Sequence, residues 1–127
     1  MTDFLATAAN VEGTAAGMPE VVRVDYDLWT LRITLNFEDM PPGYLTFKDV
    51  SGVRILREGD LLDYWQSERP DGWLWEVQSG GWSALERSRN GFITGHSSGI
   101  REFLVAGLVD CVSVLTATAP EFIRIDP

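Results

Sequence analysis

The sequence has one cysteine, one histidine and no long apolar run, and each scarcity excludes a class of protein. Cys111 cannot form an internal disulfide, and one cysteine with one histidine cannot supply the four ligands of a structural zinc site. No stretch approaches the roughly 18 apolar residues of a membrane-spanning helix. The first basic residue is Arg23, which argues against a secretory signal peptide. We therefore predict a cytoplasmic protein with no metal and no cofactor.

Positive charge is also scarce. Ten Lys and Arg residues stand against 19 Asp and Glu residues, which gives a formal charge of −9. Such a chain repels phosphates, so nucleic acids and anionic membranes are disfavoured as partners. A basic protein partner, a cationic ligand or plain solubility would each suit this charge.

Apolar residues are plentiful, at 45% of the 127 residues, and can form one hydrophobic core. Residues 1–19 are rich in Ala, Thr and Gly and contain few bulky side chains. They predict a flexible leader with at most one short helix. Residues 20–127 are predicted to form a single β-rich domain.

Alternating or continuous apolar residues predict about eight short strands, and Phe122 to Ile125 is a further short candidate. The other candidate strands cover residues 20–28, 29–37, 44–48, 53–56, 73–78, 82–86, 103–108 and 111–116. The alternation changes phase between Asp27 and Trp29, which requires a bulge or a tight turn there.

Two strand pairs are separated by turn residues and predict hairpins, one turning over residues 49–52 and one over residues 79–81. The spacing of Leu61, Leu62 and Trp65 predicts one short helix over residues 59–66. The predicted fold class is α+β, mainly an antiparallel sheet or a partly open barrel.

One motif could carry catalysis. The segment Gly95-His96-Ser97-Ser98-Gly99 matches the G-x-S-x-G nucleophile elbow of serine hydrolases. His96 is the only histidine, however, and no histidine follows Ser97 to act as the base. A polar loop is therefore the favoured interpretation, and we predict that the protein is not an enzyme.

Tryptophans and acidic residues suggest a binding surface. A two-residue loop after Gln78 would place three indoles on one sheet face, where they could pack in the core or form an interface. The neighbouring segment, Glu58 to Asp71, holds five acidic residues and one arginine. Its local charge of −4 could steer a basic partner. The predicted binding residues are Glu58, Asp60, Asp63, Trp65, Glu68, Asp71, Trp73, Trp75 and Trp82.

The stretch from Val50 to Trp65, followed by Gly72 to Val77, resembles small acidic bacterial proteins, some of which are immunity partners of secreted toxins. The resemblance implies a cytoplasmic inhibitor that binds its toxin, and it assigns no functional residue.

The leading functional hypothesis is therefore a non-catalytic protein-binding module, immunity-like, with a basic protein as its partner. The alternative is a small-ligand-binding domain with a tryptophan-lined pocket. An enzyme using scattered carboxylates or His96 is the third hypothesis. Homodimerisation through a strand edge or the aromatic face is compatible with each.

Overall fold

The protein is a mainly antiparallel β structure, seen in a computed structural model that describes residues 4–14, 17–58, 72–87 and 99–125. These residues form nine strands and one short helix, and no helix among them could span a membrane. The elements are β1 Leu5–Ala8, β2 Glu20–Tyr26, β3 Thr30–Asn36, β4 Gly43–Lys48, β5 Val50–Arg57, β6 Leu74–Ser79, α1 Trp82–Arg87, β7 Arg101–Ala106, β8 Asp110–Thr116 and β9 Glu121–Arg124.

The strands form two open sheets. The five-stranded sheet has the order β1-β6-β7-β8-β5, and the four-stranded sheet has the order β2-β3-β4-β9. Every strand pair is antiparallel. The predicted fold class is thus confirmed, with nine described strands where about eight were expected.

The main core lies between the two sheets and follows from strict alternation. Leu31, Ile33 and Leu35 of β3 point inward and are fully buried, whereas Arg32 and Asn36 between and after them are exposed. The inward residues of β4, β7 and β8 complete this core, with Trp73 and Leu74 at one end. The core therefore joins the two sheets face to face.

A second cluster lies on the other face of the five-stranded sheet. Trp75, Leu104, Ala106 and Cys111 are buried there and pack with Leu56 and other apolar residues. β7 and β8 are consequently buried on both faces, which explains why their sequences are continuous apolar runs. The single cysteine, Cys111, is a buried thiol.

The predicted hairpin between β4 and β5 is wrong. The two strands lie in different sheets, and the chain crosses at Asp49, whose φ is +54°. The Thr116 hydroxyl holds this crossover by donating to the Lys48 carbonyl oxygen at 2.7 Å. Sequence alone does not distinguish such a crossover from a hairpin turn, because the same residue types occur at both.

The second predicted hairpin is also wrong, since residues 82–87 form α1 and not a strand. β6 pairs instead with β7 and β1. Strand β1 lies within the segment predicted as a flexible leader, and Ala9 and Val11 pack against the main core. The predicted helix over residues 59–66 lies outside the described residues.

Candidate functional site

The structure separates the predicted tryptophan face. Trp73 is 1% exposed and belongs to the core between the sheets, whereas Trp75 is 7% exposed and belongs to the cluster on the opposite face. Trp73 precedes the first residue of β6, so the alternation of side chains along the strand does not require Trp73 and Trp75 to lie on the same face. These two indoles therefore form parts of two cores and not one binding surface.

The remaining predicted binding residues lie in different elements or outside the residues that the structure describes. Trp82 is the first residue of α1, and Glu58 is half-buried after β5, where its backbone N–H donates to Val109. The other predicted binding residues lie outside the described residues: Asp60, Asp63, Trp65, Glu68 and Asp71. His96 and Ser97 of the G-x-S-x-G match also lie outside them.

Helix α1 is attached to the five-stranded sheet by one buried carboxylate. Glu102 of β7 accepts backbone N–H bonds from Trp82 at 2.9 Å and Ser83 at 2.8 Å. Burial raises the pKa of this carboxyl above its ordinary value, although both N–H donors act in the opposite sense. A Cβ on Gly81 would lie 2.5 Å from a Glu102 oxygen, so only glycine permits this approach.

Trp82 adds packing to this attachment. Its ring lies against Gly52 of β5, where an added Cβ would meet the indole at 3.1 Å. The Arg54 guanidinium carbon lies 5.4 Å from the ring centroid, within cation–π range. Trp82 is therefore a half-buried anchor for α1, and its contacts leave little of the ring for a partner.

Two cavities border the described strands. One of about 390 Å³ lies between β6, α1 and the start of β7, and one of about 230 Å³ lies beside the β4–β5 crossover. Neither is lined by a tryptophan among the described residues. In the same part of the chain, no group of three or more His, Cys, Asp or Glu side chains is placed to hold a metal ion.

Among the described residues, the most exposed large apolar side chains lie at the turn between β2 and β3. Leu28 is 74% exposed and Trp29 is 77% exposed. Burial of such a side chain stabilises a fold by about 1.5–3 kcal/mol. The folded chain gains none of this stabilisation from side chains that stay exposed to water. We call Asp27 to Thr30 the apolar turn.

The backbone of the apolar turn is in an unfavourable conformation. Leu28 has a φ of +79°, and it is one of two described non-glycine residues with positive φ. Leu28 and Trp29 are the two central residues of a tight hairpin, in which a positive φ at the first position strongly favours glycine. A branched side chain at this position costs about 1–2 kcal/mol relative to the ordinary helical region.

The Asp27 carboxylate holds this conformation. Its Oδ1 accepts N–H bonds from Trp29 at 2.9 Å and from Thr30 at 2.7 Å, and these bonds lower the pKa of the carboxyl. The Asp27 N–H closes the turn by donating to the Thr30 carbonyl oxygen at 3.3 Å. Leu28 and Trp29 are therefore displayed on a defined backbone.

The second strained residue lies at the same end of the molecule. Asp49 is at the β4–β5 crossover, next to Lys48, which pairs in register with Thr30 of the apolar turn. Tyr26 links the two turns, since its hydroxyl donates to the Val50 carbonyl oxygen at 3.2 Å. Backbone strain of this kind concentrates at binding and catalytic sites, so this end is the candidate functional site.

The sequence pattern locates this turn but does not show which of its side chains are exposed. The change of phase between Asp27 and Trp29 predicted a bulge or a tight turn, and the turn is confirmed. The same pattern places Leu28 and Trp29 on apolar strand faces, whereas the structure places them at the tip of the turn. An Asp three residues before a Thr at a phase change is the signal that could have placed them outside the sheet.

The chain matches no protein-family model, no curated protein and no solved structure.

Proposed function

We propose that the protein is a non-catalytic protein-binding module that binds a basic protein through the apolar turn, in the manner of an immunity protein that neutralises a toxin. The observation that supports this function most directly is the exposure of Leu28 and Trp29 on a strained, hydrogen-bonded backbone. Trp is enriched among the residues that dominate binding energy at protein interfaces. A rigid turn also lowers the entropic cost of binding, because little of it must be ordered.

The charge of the chain supports a basic partner. A formal charge of −9 accelerates encounter with a cationic protein and disfavours an anionic one. Asp27 and Asp49 bring two carboxylates to the candidate site, where Lys48 is the neighbouring cation. The nearby Asp25 is engaged by Arg23 at 2.9 Å and adds little to the local field. The contact would therefore combine an apolar centre with an acidic rim.

The test is a quantitative pull-down from extract of the producing cells, followed by titration of the recovered protein in purified form. The wild type is compared with a double variant carrying Leu28→Ala and Trp29→Ala. The matched control carries Ile55→Ala and Ile123→Ala, two exposed apolar side chains on β5 and β9. We expect one basic protein to be recovered by the wild type and the control and to be lost with the double variant.

Salt adds a second readout. The association rate of the purified pair should fall as ionic strength rises, because steering by charge is screened over about 10 Å at 0.1 M salt. Equal recovery by all three forms, or binding that depends on neither salt nor the turn, would reject the proposed function.

A further inference from the structure

The cavity of about 390 Å³ beside α1 has the size of a small-molecule site and lies apart from the apolar turn. Its walls are the end of β6, the turn of Ser79, Gly80 and Gly81, the helix α1 and the first residues of β7. Among the described residues, two acidic and two basic side chains line it: Glu76, Glu102, Arg87 and Arg101. The balance differs from that of the chain as a whole, which is strongly acidic.

Both carboxylates of this cavity are already engaged. Glu76 accepts two hydrogen bonds from Arg101, from Nε and from Nη2, each at 2.8 Å. This pairing lowers the pKa of Glu76, so the carboxylate is ionised and neutralises its partner near neutral pH. The oxygens of Glu102 accept the N–H groups of Trp82 and Ser83. A cation entering the cavity would have to compete with these bonds.

The basic groups, in contrast, keep unused donors. Arg101 is held in a fixed plane by Glu76 and by the Phe103 ring, whose centroid lies 5.1 Å from the guanidinium carbon, and its Nη1 makes no hydrogen bond to the described residues. Arg87, the last residue of α1, is exposed, and its charge acts on the Glu102 carboxyl without a hydrogen bond between them. A planar guanidinium with free donors is suited to carboxylate and phosphate groups.

We propose that this cavity binds a small oxyanion, a carboxylate or a phosphate group, between Arg87 and Arg101. Glu76 positions the Arg101 guanidinium, and Arg87 supplies the second set of donors. The turn residues Ser79, Gly80 and Gly81 also line the cavity. The site is independent of the apolar turn and makes the protein a receptor for a small anion as well as for a protein.

The test is an NMR titration of the isotopically labelled full chain with inorganic phosphate or acetate, at an ionic strength held constant with chloride. The side-chain Nε–H signals of the arginines report contact directly. We expect the Arg87 and Arg101 signals to shift together and to saturate. Tighter binding of phosphate would identify a phosphate-bearing ligand, and tighter binding of acetate a carboxylate.

Substitutions distinguish specific binding in this cavity from general binding of anions to surface arginines. Arg87→Gln should weaken binding about tenfold or more, because it removes charge-assisted hydrogen bonds, and Arg87→Lys should retain part of the affinity. Arg32→Gln is the matched control, because Arg32 is an exposed arginine of the four-stranded sheet, away from the cavity. Its guanidinium carbon stacks on Tyr44, 4.4 Å from the ring centroid. Shifts that do not saturate, or equal effects of Arg87→Gln and Arg32→Gln, would overturn the proposal.

Discussion

Trp73 and Trp29 lie at opposite extremes of exposure, although each stands immediately before a strand. Trp73 precedes β6 and is 1% exposed, with its ring packed edge-on against Phe37 and Phe122 at centroid distances of 5.7 and 5.5 Å. Trp29 precedes β3 and is 77% exposed. The difference separates two uses of the same side chain, one in the core and one available for binding.

The two environments differ in what covers the indole. Trp73 lies at the end of the sandwich where β9 and Phe37 meet the five-stranded sheet, and its backbone carbonyl accepts an N–H bond from Ala106 at 2.7 Å. Trp29 lies at the other end, on a turn that projects beyond the last register pair of β2 and β3. Coverage by a second sheet therefore decides the role of each tryptophan.

The largest effect on stability should come from Trp73→Ala. This change removes a large buried side chain and leaves a cavity, so we expect a loss of about 3–5 kcal/mol in the free energy of unfolding. Trp73→Phe should cost less than half as much, because it keeps an aromatic ring and removes a buried indole N–H that has no hydrogen-bond partner. Urea unfolding measures both, and equal losses would contradict the packing account.

The double change Leu28→Ala and Trp29→Ala should weaken binding and leave stability nearly unchanged, in contrast to Trp73→Ala. The free energy of unfolding should stay within about 0.5 kcal/mol of the wild type or rise, because both side chains are exposed. The affinity for the protein partner should fall by about 2 kcal/mol or more, as expected for hot-spot residues. Calorimetric titration and urea unfolding of the same samples separate the two effects, and a variant that loses stability but keeps its affinity would refute the assignment.

Trp82 is half-buried, between Trp73 and Trp29 in exposure, and its position depends on the Glu102 carboxylate. Glu102→Ala should destabilise the protein by about 1–3 kcal/mol, because two N–H groups at the start of α1 lose their acceptor. Glu102→Gln is the milder control, since its carbonyl oxygen can accept one of them. The result is read from urea unfolding and from hydrogen exchange of the Trp82 and Ser83 amides.

The same residue gives a pH dependence with a definite sign. Because the pKa of Glu102 is raised above the reference value of 4.5, the folded state binds its proton more tightly than the unfolded state does. This stabilising contribution is complete below pH 4.5 and is lost as the pH rises through the raised pKa. The stability of the wild type relative to Glu102→Gln should therefore decrease with rising pH above that value, and a constant difference would show that the carboxyl is not perturbed.

The smallest expected effect is that of Leu28→Gly. Glycine adopts positive φ without strain, so the free energy of unfolding should be unchanged or rise by up to about 1 kcal/mol. Partner affinity should nevertheless fall, since the Leu28 side chain is removed. A gain in stability together with a loss of binding would show that the strain is retained for function, whereas a marked loss of stability would contradict the reading of this turn.

The strands were largely predictable because their apolar patterns reflect local geometry. Alternation placed Leu31, Ile33 and Leu35 on the buried face of β3, and the apolar runs of β7 and β8 match strands buried on both faces. The helix at Trp82 was not predictable in this way. Six residues are too few to show a helical period, and the Glu102 carboxylate that caps α1 lies 20 residues away in sequence.

The candidate site was predicted only in part. Sequence placed a turn near Asp27, but it could not show that Leu28 and Trp29 lie beyond both sheets, because exposure depends on which other strands pack nearby. Trp73 and Trp75 presented the reverse case, since alternation suggested a shared face and the two belong to different clusters.

The sequence by itself determined that this protein is β-rich, acidic and built around a real hydrophobic core, because composition and alternation follow from short-range geometry. The tertiary structure alone decided the sheet to which each strand belongs, the tryptophans that are covered and the two turns that share one end. These outcomes depend on contacts between residues far apart in the chain, such as Thr116 with Lys48 and Tyr26 with Val50. Local sequence patterns carry no record of such contacts.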